Sequence, residues 1–184
     1  MCNAARAEKS LPRSILYAAD DVRTIALERG WYARPAEQCD AMDAWFARAA
    51  DLLAPHAADR SALEAMLALV FHYDATEILA RPENQEVLMR TGAREVIREL
   101  ANHVLDGGIV NSDRFKEIVD AIKAAVPHRS RVIFHPIRLA LAGRSGEGEL
   151  DRVILLIDAA AELPFSTKVK HTRERMLEFC AALD

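Results

Sequence analysis

Apolar side chains recur along most of the chain at three- and four-residue intervals, the spacing that gathers them on one face of a helix. Ile15, Ala18, Ala19, Val22, Ile25 and Ala26 form a first stripe, closed by Gly30. Met42, Trp45, Phe46, Ala49 and Leu53 form a second, with Pro35 suited to its first helical position and Pro55 to its end. Ser61 and Glu64 have capping-box spacing and open a run through Leu63, Met66, Leu67, Val70 and Phe71 that Pro82 closes. A short helix is expected between Pro82 and Gly92. Val96, Ile97, Leu100 and Val104 mark another, stopped by Gly107-Gly108, and Phe115, Ile118, Val119 and Ile122 follow a cap at Ser112 or Asp113 and end at Pro127.

The last third is more broken. Arg131 to His135 fits an extended segment, Pro136 to Gly143 a short turn of helix, Arg144 to Gly148 a polar, glycine-rich loop, and Leu150 to Ile157 a helix. Pro164, Ser166 and Thr167 punctuate the chain before a final helix with Val169, Met176, Phe179 and Leu183. Alternation with period two extends over no more than a few residues, and no internal repeat is present. The expected fold is all-α, a multihelical bundle of about eight or nine helices. The breaks suggest an N-terminal helical extension (1–55), a bundle subdomain (56–126) and a C-terminal subdomain (127–184), or all of these as one compact domain.

Composition supports this reading: 51% of the 184 residues are apolar and 28% charged, with only 7 Gly and 7 Pro. A net charge of -4 does not select nucleic acid as a partner. The charge is uneven, however. Lys168, Lys170, His171, Arg173 and Arg175 lie close together with only Glu174 as counter-charge, so any anion-binding surface is expected near the C-terminus. Cys2, Cys39 and Cys180 are odd in number and far apart, which argues against a disulfide framework and for a reducing compartment. With no apolar run of the roughly 20 residues a membrane span needs and no signal-peptide core, a cytoplasmic location is expected.

Candidate chemistry is sparse. No two of the six histidines have the H-x-x-x-H spacing that places two metal ligands on one helix face. His72 reads as a helix histidine satisfied by its neighbours. There is no G-x-S-x-G elbow, and Cys180 lies on the apolar side of the last helix. Gly143, Gly146 and Gly148 lack the Lys-Ser/Thr of a phosphate loop. The carboxylates fall opposite the apolar stripes, as a solvated surface requires. The sequence therefore implies no catalytic residues, no metal and no cofactor.

One segment carries more. Phe134-His-Pro-Ile-Arg-Leu-Ala-Leu-Ala-Gly143 resembles a stretch of bacterial glutamyl-tRNA synthetases that reads approximately F-x-P-L-R-x-A-L-T-G. The resemblance, covering roughly Ala62 to Ala160, implies an all-helical anticodon-binding region of two subdomains. It implies that Arg138 and the following loop (Glu147, Gly148 and Leu150) lie against an anticodon. A guanidinium fork suits a base edge or a phosphate, and unstacked loop bases are the usual targets of sequence-specific RNA readers. The chain departs from the family in having Glu147-Gly148 where Thr-Pro is usual. It also has no H-x-G-H signature, and Ser166 to Lys170 echoes the K-M-S-K-S signature only superficially. The expected function is a freestanding, non-catalytic tRNA-binding module, contacting RNA through Arg138, Arg144, Lys168, Lys170 and Arg173. The rival is a helical protein-interaction module that kept the fold and lost RNA binding, with Trp31 and Tyr32 exposed to a partner. Against these stand two plainer roles: Arg138 as a salt bridge tying two helices, and Trp31 as a plug in the bundle.

Overall fold

The computed structural model describes residues 17–34, 39–127 and 131–183. Ten α-helices, and no strand, occur among the described residues: α1 (Ala19–Glu28), α2 (Asp40–Leu53), α3 (Arg60–Phe71), α4 (Ala75–Ala80), α5 (Pro82–Leu88), α6 (Ala93–Leu105), α7 (Ser112–Ala125), α8 (Arg131–Ala142), α9 (Glu149–Ala161) and α10 (Thr172–Leu183). The fold is an all-helical bundle, as the periodicity requires. None of these helices is long and apolar enough to cross a membrane. Ile15 and Pro35 lie outside the described residues.

The two most buried helices, α8 and α9, form the centre. Leu150, Val153, Ile154, Leu155, Leu156, Ile157 and Ala160 cover nearly the whole circumference of α9, which is expected of a helix enclosed on every side. The second half of α8 is similar, with Ile137, Leu139, Ala140, Leu141 and Ala142 fully buried. Around this pair, α2 and α3 pack on α9, and α6 and α10 pack on α8 and on each other. The buried apolar residues form one cluster from Val22 to Phe179.

Helix boundaries correct several sequence expectations, each through a polar side chain. α3 is capped by Asp59, whose carboxylate accepts from the Ala62 amide at 2.8 Å, and Ser61 lies inside the helix. The run toward Pro82 breaks at His72–Asp74, because Asp74 accepts from the Glu77 amide and starts α4 anew. His72 is thus the C-cap of α3, outside the helix. Asn111, not Ser112 or Asp113, caps α7 by accepting from the Arg114 amide. Pro55 sits in a single 3-10 turn after α2. Arg131 to His135 is helical, and Pro136 lies in the second turn of α8. Pro136 has no amide to bond the Val132 carbonyl and crowds it, yet α8 continues through it to Ala142. The last helix begins at Thr172, so Val169 belongs to the linker before it.

Trp31 and Tyr32 are buried, which overturns the expectation that they are exposed and matches the plug. The cause is the end of α1. Gly30 takes φ +70°, the Gly30 amide donates to Leu27 O and the Trp31 amide to Ala26 O, a Schellman ending. That turn directs Trp31 onto Phe71, stacked at 4.7 Å, and Tyr32 against the edge of Phe46. The Ser166 amide donates to Trp31 O at 2.8 Å, and Phe165 packs among the same rings.

Candidate functional site

The eight residues singled out from the sequence divide between interior and surface. Arg138, on α8, is buried. Its Nε and Nη2 donate to both oxygens of Asp151 at 2.7 and 2.8 Å, and its Nη1 donates to Gly146 O at 2.6 Å. Its guanidinium also lies 5.0 Å from the Phe134 ring centre. The fork thus ties α8 to the α8–α9 loop and to the first turn of α9, the bidentate geometry in which arginine–carboxylate pairs are strongest. Leu150 is wholly buried. Arg144, Glu147 and Gly148 are exposed in that loop, where Glu147 Oε1 lies 3.5 Å from Arg131 Nη2.

The C-terminal cations sit elsewhere. The Thr172 amide and hydroxyl donate to Asp158, ten residues beyond Gly148, or about 15 Å along α9 at 1.5 Å per residue. Lys168 is exposed beside Glu174 at 3.2 Å. Lys170 donates to Tyr73 O and to Glu178 Oε2. Arg173 is exposed and donates to Leu105 O.

Two residues that the sequence reading placed at the surface are inside. Arg175 belongs to the basic stretch, yet it is completely buried. It donates to the carbonyls of Leu69 (2.9 Å), Val70 (2.5 Å), Leu141 (3.0 Å) and Lys170 (3.1 Å), and its guanidinium stacks 4.8 Å from the centre of the Tyr73 ring. Leu69, Val70 and Leu141 lie in the last turns of α3 and α8, where carbonyls have no partner within the helix and the helix dipole is negative. One cation therefore caps two helices. Burial lowers its pKa to about 10, so it remains charged at neutral pH. Tyr73 completes the arrangement by donating to Ala140 O at 2.5 Å. Asp158 is the exception to the solvated carboxylates. It accepts from the Val110 amide and from Thr172, and joins α9 to the segment before α7 and to the start of α10. The signals were present: Arg175 shares a stripe with Thr172, Met176 and Phe179, and Asp158 interrupts a purely apolar run.

Besides a separate cleft of about 450 Å³ between the end of α3, α4 and Gly143, one surface feature with a definite shape is a trough between α6 and α10. Three clefts follow one another along it. The first, about 450 Å³, lies between Leu88, Met89 and Arg94 and the end of α10 at Leu183. The second, about 250 Å³, has Ile97, Arg98, Ala101 and Cys180 as walls. The third, about 340 Å³, lies between Gly107-Gly108-Ile109 and Thr172-Arg173. Arg173, bonded to Leu105 O, stands between the second and third. The large apolar residues most exposed among those described are Met89 (84%), Ile109 (56%) and Leu177 (50%). Met89 and Ile109 lie at the two ends, and Leu177 is one helical turn from both Arg173 and Cys180. Arg94 and Arg98, one turn apart on α6, make no ion pair with any described residue.

No family model, curated protein or solved structure matches the chain. Among the described residues, no group of three or more His, Cys, Asp or Glu side chains is arranged to hold a metal ion.

Proposed function

We propose that the chain is a non-catalytic helical module that binds a partner protein. The observation that carries this reading is the trough, which gathers exposed apolar side chains and arginines without a carboxylate partner among the described residues on one side of the molecule. Methionine and arginine are among the residues enriched at protein-binding faces, and the trough sets Met89 beside Arg94 and Arg98. The buried polar residues also favour binding over catalysis. Arg138, Arg175, Asp158 and Thr172 each spend their hydrogen bonds on joining helices, which leaves no set converging on an open site.

The tRNA reading remains as a second one, favoured by Arg144 and Arg152, both exposed at the α8–α9 loop and the first turn of α9. Labelled tRNA titrated at low salt separates the two. Protein binding as the main role expects no affinity tighter than about micromolar. Salt-dependent micromolar binding that is lost in Arg144→Glu would instead establish the RNA reading.

A further inference from the structure

We propose that the trough between α6 and α10 seats one acidic amphipathic helix of a partner protein; this rests on the protein-binding reading above and names the partner's chemistry. Length is the first argument. α6 has 13 residues and α10 has 12, so the trough runs for about 20 Å, the length of three to four turns of a single helix. Lining is the second. Ile97, Ala101, Cys180 and Leu183 line the middle of the trough, Met89 and Ile109 stand at its two ends, and exposed Leu177 lies one helical turn from Cys180 on α10. A helix with apolar residues at i, i+3, i+4 and i+7 fits such a lining.

Charge decides the flanks. Arg94, Arg98 and Arg173 stand along the trough, and none is paired with a carboxylate of a described residue. The acids that line it are already engaged. Asp158 is buried and bonded to Val110 and Thr172, and Glu174 accepts from the His171 amide beside Lys168. Glu95 has a partner of its own. The side chains along the trough without a carboxylate partner among the described residues are therefore arginines, on a chain whose net charge is -4. A basic or neutral helix would forgo that complementarity, and Asp or Glu beside the apolar stripe would use it.

The test is a display library of helical peptides of about 14 residues, with a fixed leucine stripe and random flanking positions, selected on the full chain. The peptides recovered are expected to be enriched in Asp and Glu at the flanks. They are expected to bind Arg94→Glu/Arg98→Glu at least about tenfold more weakly, and Leu177→Asp similarly, while the circular dichroism spectrum and melting temperature of each variant stay near those of the parent. Recovery of no peptides, of basic peptides, or of peptides indifferent to these substitutions would overturn the inference. A dimer of the chain itself that the same substitutions dissociate would also overturn it, by making a second copy the occupant. A partner protein captured equally well by parent and variants would leave the protein-binding reading standing and remove the trough from it. No protein binding at all, with salt-dependent tRNA binding in its place, would remove both.

Discussion

Arg138 shows how much a single side chain can be asked to do. Its three nitrogens hold both oxygens of Asp151 and the Gly146 carbonyl, so the loop from Arg144 to Gly148 is fastened at its middle while Arg144, Glu147 and Gly148 stay in solvent. Removing one member of a buried pair strands the other, which typically costs 3–5 kcal/mol. Asp151 retains some access to water, so Arg138→Ala is expected to lower stability by about 3 kcal/mol in urea denaturation, and Arg138→Lys by about 2, because an ammonium lacks the fork. A loss below 1 kcal/mol for both would show that the fork does not hold the loop. His135, one turn earlier, gives a pH prediction. Its pKa is pushed below the ordinary 6.5 first by burial and then by the Arg90 and Arg138 charges, and its Nε2 is buried without a hydrogen-bond partner among the described residues. The folded protein therefore keeps the ring neutral at pH values where the unfolded chain protonates it. Stability from this group is complete above 6.5 and declines as pH falls below it. His135→Gln is expected to flatten that decline in melting temperature measured between about pH 7 and 5; an unchanged slope would assign it to other groups.

At the scale of elements, short polar side chains decide where helices begin. Asp59 satisfies the Ala62 amide, and a lost N-cap of this kind costs about 1 kcal/mol. Asp59→Ala is thus expected to destabilise the protein by that amount in chemical denaturation, whereas Ser61→Ala, inside α3, is expected to change stability by less than about 0.5 kcal/mol. The reverse order would restore the capping box at Ser61. The case also shows what was legible in the sequence. Apolar periodicity located Val22–Ala26, Met42–Leu53, Val96–Val104 and Phe115–Ile122 correctly, because a helix packed on one side writes its face into the chain. It did not find the break at His72–Asp74, where apolar residues continue on both sides and only the Asp74 cap divides them. Nor did it recognise α8 from its start, since Pro136 was read as a boundary. The trough was not legible at all. Its residues come from α5, α6, α10 and the turn before α7, and only the packing of α6 against α10 brings them together.

For the whole molecule, the question is whether the three segments suggested by the sequence fold as one unit. Trp45 Nε1 donates to Leu156 O at 3.2 Å, and the Trp31 carbonyl accepts from Ser166, so the first two helices are bonded directly to the last third. Arg175 is the corresponding tie in the interior, linking the ends of α3 and α8 to α10 with no apolar substitute for its hydrogen bonds. If these ties make folding cooperative, tryptophan fluorescence and far-ultraviolet circular dichroism must report the same urea midpoint. The comparison is sharp because both tryptophans, Trp31 and Trp45, lie within residues 1–55, whereas the dichroism reports all ten helices. Arg175→Met, which keeps the bulk and strands the Leu69, Val70, Leu141 and Lys170 carbonyls, is expected to cost about 3–5 kcal/mol and to move both midpoints together. A fluorescence midpoint that stays in place while the dichroism midpoint falls would mean that the N-terminal helices hold together on their own aromatic cluster. Arg175 would then stabilise only the remainder, and the boundary near residue 55 would be a true one.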